Sequence, residues 1–187
     1  MALQKNSVLL VVDVQKGFDE YNEGMRNNPD AEKKIEELIR VWRAEKRPLI
    51  HIQHCSTLPD SVFRPDRPGN DFKPEAKPNP GETVIQKNVN SAFIGTPLEK
   101  LLREKDYKIL VIAGFSTPHC ISTTARMAGN LGFETYVISD ATAAWDLTGP
   151  EGKVYTAQEM HDTALAMLHD EFATILDTES VLKKLKE

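Results

Sequence analysis

The chain has 187 residues, 40% hydrophobic and 27% charged, with a formal net charge of −5. That length suits one domain with a sizeable core, so residues 1–187 are expected to form a single domain. The acidic balance, without a basic cluster, argues against nucleic acid and anionic membrane as partners. No apolar run approaches the ~20 residues of a membrane helix. The opening MALQKNS lacks the regions of a signal peptide. Two cysteines, Cys55 and Cys120, stand in no metal-ligand spacing. A cytoplasmic location with Cys120 as a free thiol fits these features.

In chain order, Ser7 to Val14 is an almost wholly apolar run that predicts the first strand, with Asp13 at its end. Gln15, Gly17 and Phe18 follow in a polar loop. Pro29-Asp30 starts a helix whose apolar positions Ile35, Leu38, Ile39 and Trp42 recur at helical spacing. Pro48 to His54 predicts the second strand. His51 and His54, three apart, fall on opposite faces of it, so they reach one metal only if the strand ends between them. One packed histidine and one at the strand end is the alternative. Cys55 to Glu82 holds six prolines and no period. It reads as a long ordered loop, a pocket mouth or a subunit contact, in which Arg64, Arg67, Phe72 and Lys73 meet substrate, a neighbouring chain or solvent.

Thr83 to Gln86 predicts a third strand, leading to Lys87, Asn88, Asn90, Ser91 and Phe93. Gly95 to Arg103 predicts a short helix with Leu98, Leu101 and Leu102 inward. Ile109 to Ala113, bounded by Gly114, reads as a strand buried on both faces. It turns through Phe115-Ser116-Thr117 into a helix with Thr117 as N-cap, Pro118 in the first position and Cys120 in the first turn. A thiol there meets the positive end of a helix dipole and unpaired N–H groups, which favours thiolate. The alternative is a small buried residue opening an ordinary helix. Glu134 to Ser139 predicts a fifth strand closing on Asp140, which reads as a helix cap, loop anchor or site residue. A helix from Val154 to His169, a sixth strand from Phe172 to Leu176 and a last helix near Thr178 complete the chain.

The alternation of strands and helices predicts an α/β fold with helices on both faces of a parallel sheet. Asp13, Lys87 and Cys120 then share the C-terminal edge of that sheet, where ligands bind in open parallel folds. A thiol needs a base for its proton, and a lysine can steady both anions. VVDVQKGF, VIQKNVNSAF, AGFSTPHCISTTAR and VISDATAA resemble, in order and spacing, the isochorismatase-like cysteine hydrolases, from Ser7 to Leu176.

That resemblance implies a three-layer α/β/α fold with a six-stranded parallel sheet in the order 3-2-1-4-5-6. It implies an Asp13-Lys87-Cys120 triad, a cis peptide at Phe115–Ser116, and an oxyanion hole from the backbone N–H groups of Ser116 and Cys120. Gln15, Phe18, Phe93 and His119 are candidate substrate-binding residues, Phe18, Phe93 and His119 as pocket walls. Nicotinamidases of the family bind a metal through an aspartate and histidines after the second strand; HIQHCS has no aspartate, so no metal and no cofactor are expected. True isochorismatases cleave a vinyl ether without a cysteine nucleophile. The presence of Cys120 therefore points to hydrolysis of a C–N bond, amide or ureide, of a small-molecule substrate. The alternatives are an isochorismate-type ether hydrolase and a thiol redox or ligand-binding module on the same fold. The resemblance also implies a homo-oligomer, dimer or tetramer.

Overall fold

The computed structural model describes residues 3–20 and 25–186. Six strands form one parallel sheet: β1 (Val8–Val12), β2 (Leu49–His54), β3 (Thr83–Lys87), β4 (Ile109–Phe115), β5 (Glu134–Ala143) and, last in the chain, β8 (Thr174–Leu176). Their order is β3-β2-β1-β4-β5-β8. This is the expected 3-2-1-4-5-6 order, because a small antiparallel hairpin, β6 (Leu147–Thr148) and β7 (Val154–Tyr155), intervenes before the sixth strand of the sheet.

The helices cover both faces, and the period-2 geometry of a strand divides the core between them. Leu9 and Val11 of β1 pack on one side with Ile35, Leu38, Ile39 and Trp42 of α1 (Ala31–Ala44) and Val181 of α5 (Thr178–Lys186). Val8, Leu10 and Val12 pack on the other. There they meet Leu98 and Leu102 of α2 (Leu98–Glu104), Ala125 of α3 (Ser122–Asn130), and Leu165 of α4 (Ala157–Leu168). All five β1 side chains are buried, as a central parallel strand requires.

Among the boundaries that differ from the sequence expectation, three have a clear local cause. The helix predicted from Val154 begins at Ala157, because Val154 and Tyr155 pair with Leu147 and Thr148. Thr156 and Glu159 close a reciprocal capping box there, a signal already present in the sequence as Thr-x-x-Glu. Strand β5 runs four residues past Ser139, through a register irregularity opposite Ile112 and Gly114. The segment after β4 opens not as an α-helix but as a π-helical turn, Thr117–Ile121, with Ser116 at its N-cap. Asp140 anchors α5: its Oδ1 accepts from both the N–H and the hydroxyl of Thr178 at 2.8 Å.

Candidate active site

Three strand ends converge at the C-terminal edge of the sheet. After β1 the chain turns sharply, with Asp13 at φ 53 in the left-handed region, while its N–H still bonds Ile52 O at 3.0 Å. Asp13 is thereby turned out of the ladder and buried beside the end of β3. Next door, Gly114 of β4 lies at φ +128, and a Cβ there would sit 2.0 Å from Val12 O, so only glycine lets β4 approach β1. The Phe115–Ser116 peptide is cis. The π turn follows and holds Ile121 N–H on Ser116 O at 3.2 Å. Its position is braced from α4, whose buried His161 bonds the Thr117 hydroxyl at 2.9 Å.

Lys87 is the hub. Its Nζ donates to Asp13 Oδ2 at 2.6 Å, to Val89 O at 3.1 Å and to His54 Nδ1 at 3.1 Å, and lies 3.4 Å from Cys120 Sγ. Its side chain is wholly buried and that of Asp13 nearly so. Burial works against the ammonium, but the Asp13 carboxylate and the Cys120 sulfur outweigh it and hold the lysine charged, above the usual lysine range. The second carboxylate oxygen, Asp13 Oδ1, is buried and has no hydrogen-bond partner among the described residues.

The thiol departs from expectation. Position near a helix start predicts a lowered pKa, yet burial and then the adjacent Asp13 carboxylate push the Cys120 thiol up, and Lys87 does not reverse it. The physical reason is that Lys87 is already neutralised by Asp13 at 2.6 Å, so a thiolate would add an uncompensated buried negative charge. The resting thiol keeps its proton and points its weak donor toward Asn90 Oδ1 at 3.9 Å.

These groups open on a cavity of about 280 Å³ whose lining includes Asp13, Phe18, His54, Phe63, Asn90, Ser116, His119 and Cys120. Phe18 forms its aromatic wall, with ring centroids 4.8 Å from Phe63 and 5.1 Å from Trp145. His119 is tied to the Ser116 hydroxyl at 2.9 Å, and burial holds its imidazole neutral. Two candidates lie elsewhere. Phe93 stacks on Phe133 at 6.0 Å within the core and does not line this cavity. Gln15 is fully buried, with its amide spent on the main chain of His54 and Asn70. The long loop after β2 is ordered by Asn70, which donates to His54 O and Phe63 O at 2.8 Å each. Of its charged residues, Lys73 pairs with Asp19 and Glu32, and Arg64 pairs with Asp66.

Of the two readings the sequence left open for His51 and His54, the structure takes the packed histidine with one at the strand end, and it adds His54 to the site, which the sequence did not show. The parity of β2 buries His51 against Glu82 and leaves His54 at the strand end, facing the site. Asp13, His54 and Cys120 offer ligand atoms within 4.8 Å of one another. The Lys87 ammonium contacts all three residues, so its positive charge already stands where a cation would bind.

An isochorismatase domain model matches residues 7–180. The chain belongs to the isochorismatase family. It is 47% identical over 180 residues, 96% of each chain, to the uncharacterized isochorismatase family protein YrdC of Bacillus subtilis. A solved isochorismatase-family structure from Chromobacterium violaceum superposes with a TM-score of 0.95 at 43% identity, covering 100% of this chain and 98% of that one. Over 77 residues, 41% of this chain and 32% of the other, it is 36% identical to a ureidoacrylate amidohydrolase of an Enterobacter species. The chain is thus an isochorismatase-family hydrolase. Among the described residues no helix is long and apolar enough to cross a membrane.

Proposed function

We propose that this family member hydrolyses a C–N bond, amide or ureide, of a small molecule through a thioester on Cys120. The observation that carries the reading is the buried Asp13–Lys87–Cys120 cluster, with Lys87 Nζ at 2.6 Å from the carboxylate and 3.4 Å from the sulfur. Asp13 takes the thiol proton as Sγ attacks the carbonyl carbon, so the proton leaves during attack rather than beforehand. This order follows from a thiol held protonated at rest. The backbone N–H groups of Ser116 and Cys120 receive the oxyanion. Asp13 returns the proton to the leaving nitrogen, then draws one from the water that opens the thioester and passes it to the departing sulfur, which restores the thiol. Lys87 keeps the charge of the cluster balanced throughout. A relative named for amidohydrolase activity supports the choice of C–N over ether cleavage.

We also propose a cytoplasmic homo-oligomer, a reading supported by the free thiols Cys55 and Cys120 and by the exposed Leu58 at the cavity mouth and Met167 on α4. The test of function is a screen of small amides, ureides and isochorismate against the purified chain, with Cys120→Ser as the blank. Release of amine or ammonia by the wild type alone is the expected result. Turnover of isochorismate alone, undiminished in Cys120→Ser, would replace C–N hydrolysis with ether hydrolysis.

A further inference from the structure

The fold commits three buried polar side chains to holding one residue that the triad does not use. Gln15 Oε1 accepts the His54 N–H at 2.8 Å, and Gln15 Nε2 donates to His54 O at 3.0 Å. Asn70 Nδ2 donates to the same carbonyl at 2.8 Å. Gln15 is fully buried and Asn70 nearly so, so the His54 main chain is fixed on both its donor and its acceptor side. The ring is fixed as well. Lys87 Nζ lies 3.1 Å from Nδ1, and an ammonium has only donors, so Nδ1 must be the acceptor. Phe63 packs edge-on against the imidazole, with centroids 6.0 Å apart at 85°. The neutral ring then carries its hydrogen on Nε2. Burial, and next the Lys87 charge, keep it neutral by pulling its pKa below the usual histidine value. Nε2 has no hydrogen-bond partner among the described residues, and His54 lines the cavity.

We propose that His54 is a substrate-contacting residue whose Nε2–H reads an uncharged hydrogen-bond acceptor lying next to the scissile bond. The rest of the wall suits the same class of ligand. Asp13 brings negative charge to the lining, while the Lys87 ammonium stays buried behind it, and the serine hydroxyls, Asn90 and His119 are neutral. Among the described lining residues none is a lysine or arginine, so a carboxylate would find no counter-charge there, whereas a second carbonyl or a ring nitrogen would meet a donor. The favoured substrate is therefore a neutral amide or ureide with a second acceptor beside the reacting carbonyl. This deepens the hydrolase reading and rests on the Cys120 cavity being the substrate site.

The test compares iodoacetamide with iodoacetate on the full-length chain, following alkylation at Cys120 and at half-buried Cys55, outside the cavity lining, by peptide mass spectrometry. Both reagents meet the same thiolate, so their rate ratio at one cysteine cancels its pKa and reports the pocket's preference for amide over carboxylate. The amide-to-carboxylate ratio at Cys120 is expected to exceed that at Cys55 by about tenfold. His54→Phe should reduce this excess by slowing iodoacetamide, leaving only the penalty that the cation-free lining sets on iodoacetate, and His54→Gln, which keeps an acceptor and a donor, should restore most of the lost part. Equal ratios at the two cysteines in the wild type would overturn the proposal, even if His54→Phe does not fold. So would an excess that His54→Phe leaves intact. If the excess holds but no amide or ureide is turned over, the hydrolase reading fails and the His54 contact stands. If amides are hydrolysed and the excess is absent, the reverse is true.

Discussion

At the scale of single residues, the chemistry turns on charge balance among three buried groups. With Asp13 and Lys87 paired at 2.6 Å, the cluster is neutral only while Cys120 remains a thiol. Iodoacetamide alkylation of Cys120 followed against pH should therefore give a midpoint above the ~8.5 of a free cysteine. Asp13→Asn should lower that midpoint by about one unit or more, because it removes the negative charge that opposes thiolate. Lys87→Ala should raise it further. Opposite signs for the two substitutions are the signature; a shift in the same direction for both would separate one of them from the sulfur. Sequence showed which residue types meet here, since acid, lysine and cysteine each lie at or just beyond the end of a predicted strand. It could not show the sign of the Cys120 shift, which depends on the distance from Lys87 to Asp13 and on burial. Nor could it show that Gln15 would be consumed by the His54 backbone, a contact 39 positions away.

At the scale of elements, the site depends on how closely strand ends approach. Gly114→Ala would drive a Cβ to 2.0 Å from Val12 O at a backbone angle that alanine adopts poorly. A loss of about 4 kcal/mol or more, in the class of severe single substitutions, is expected from urea denaturation. Gln15→Leu should cost about 1–3 kcal/mol, because it strands the His54 N–H and leaves the loop carbonyls short of donors. An unchanged denaturation midpoint for either would contradict these local accounts. Strand β4 was readable as a doubly buried run, and the α1 stripe was readable from its spacing. The π turn was not, because Thr117-Pro118 is equally compatible with an α-helical start. The start of α4 was readable in principle from Thr156 and Glu159.

At the scale of the whole molecule, the loop after β2 is tied to α1 by ionic contacts that set an acid limit on stability. Burial pushes the Glu32 carboxyl up, but Arg26 and Lys73 prevail and hold it at about 2, against an ordinary 4.5. A carboxylate depressed in the folded state contributes stability that is complete above its ordinary value and is lost as pH falls through the folded one. Thermal unfolding should therefore show a stability loss between about pH 5 and pH 2, of which Glu32, discounted for solvent screening at its partly exposed site, accounts for about 2 kcal/mol. Glu32→Gln should be less stable than the wild type at neutral pH and flatter across that window. A wild-type melting temperature unchanged from neutral pH to about pH 2 would contradict the coupling. The parallel sheet was legible from the alternation of strands and helices and its order from the family resemblance, but the Lys73–Glu32 tie, spanning 41 positions, was not legible.

The central claim, a thioester on Cys120, is tested most directly by intact-mass spectrometry of the full-length chain, acid-quenched during turnover of a slow amide or ureide. The account predicts a mass increase equal to the acyl group, mapped to Cys120 and absent in Cys120→Ala. Steady turnover by Cys120→Ala at the wild-type rate, with no adduct in either protein, would contradict it.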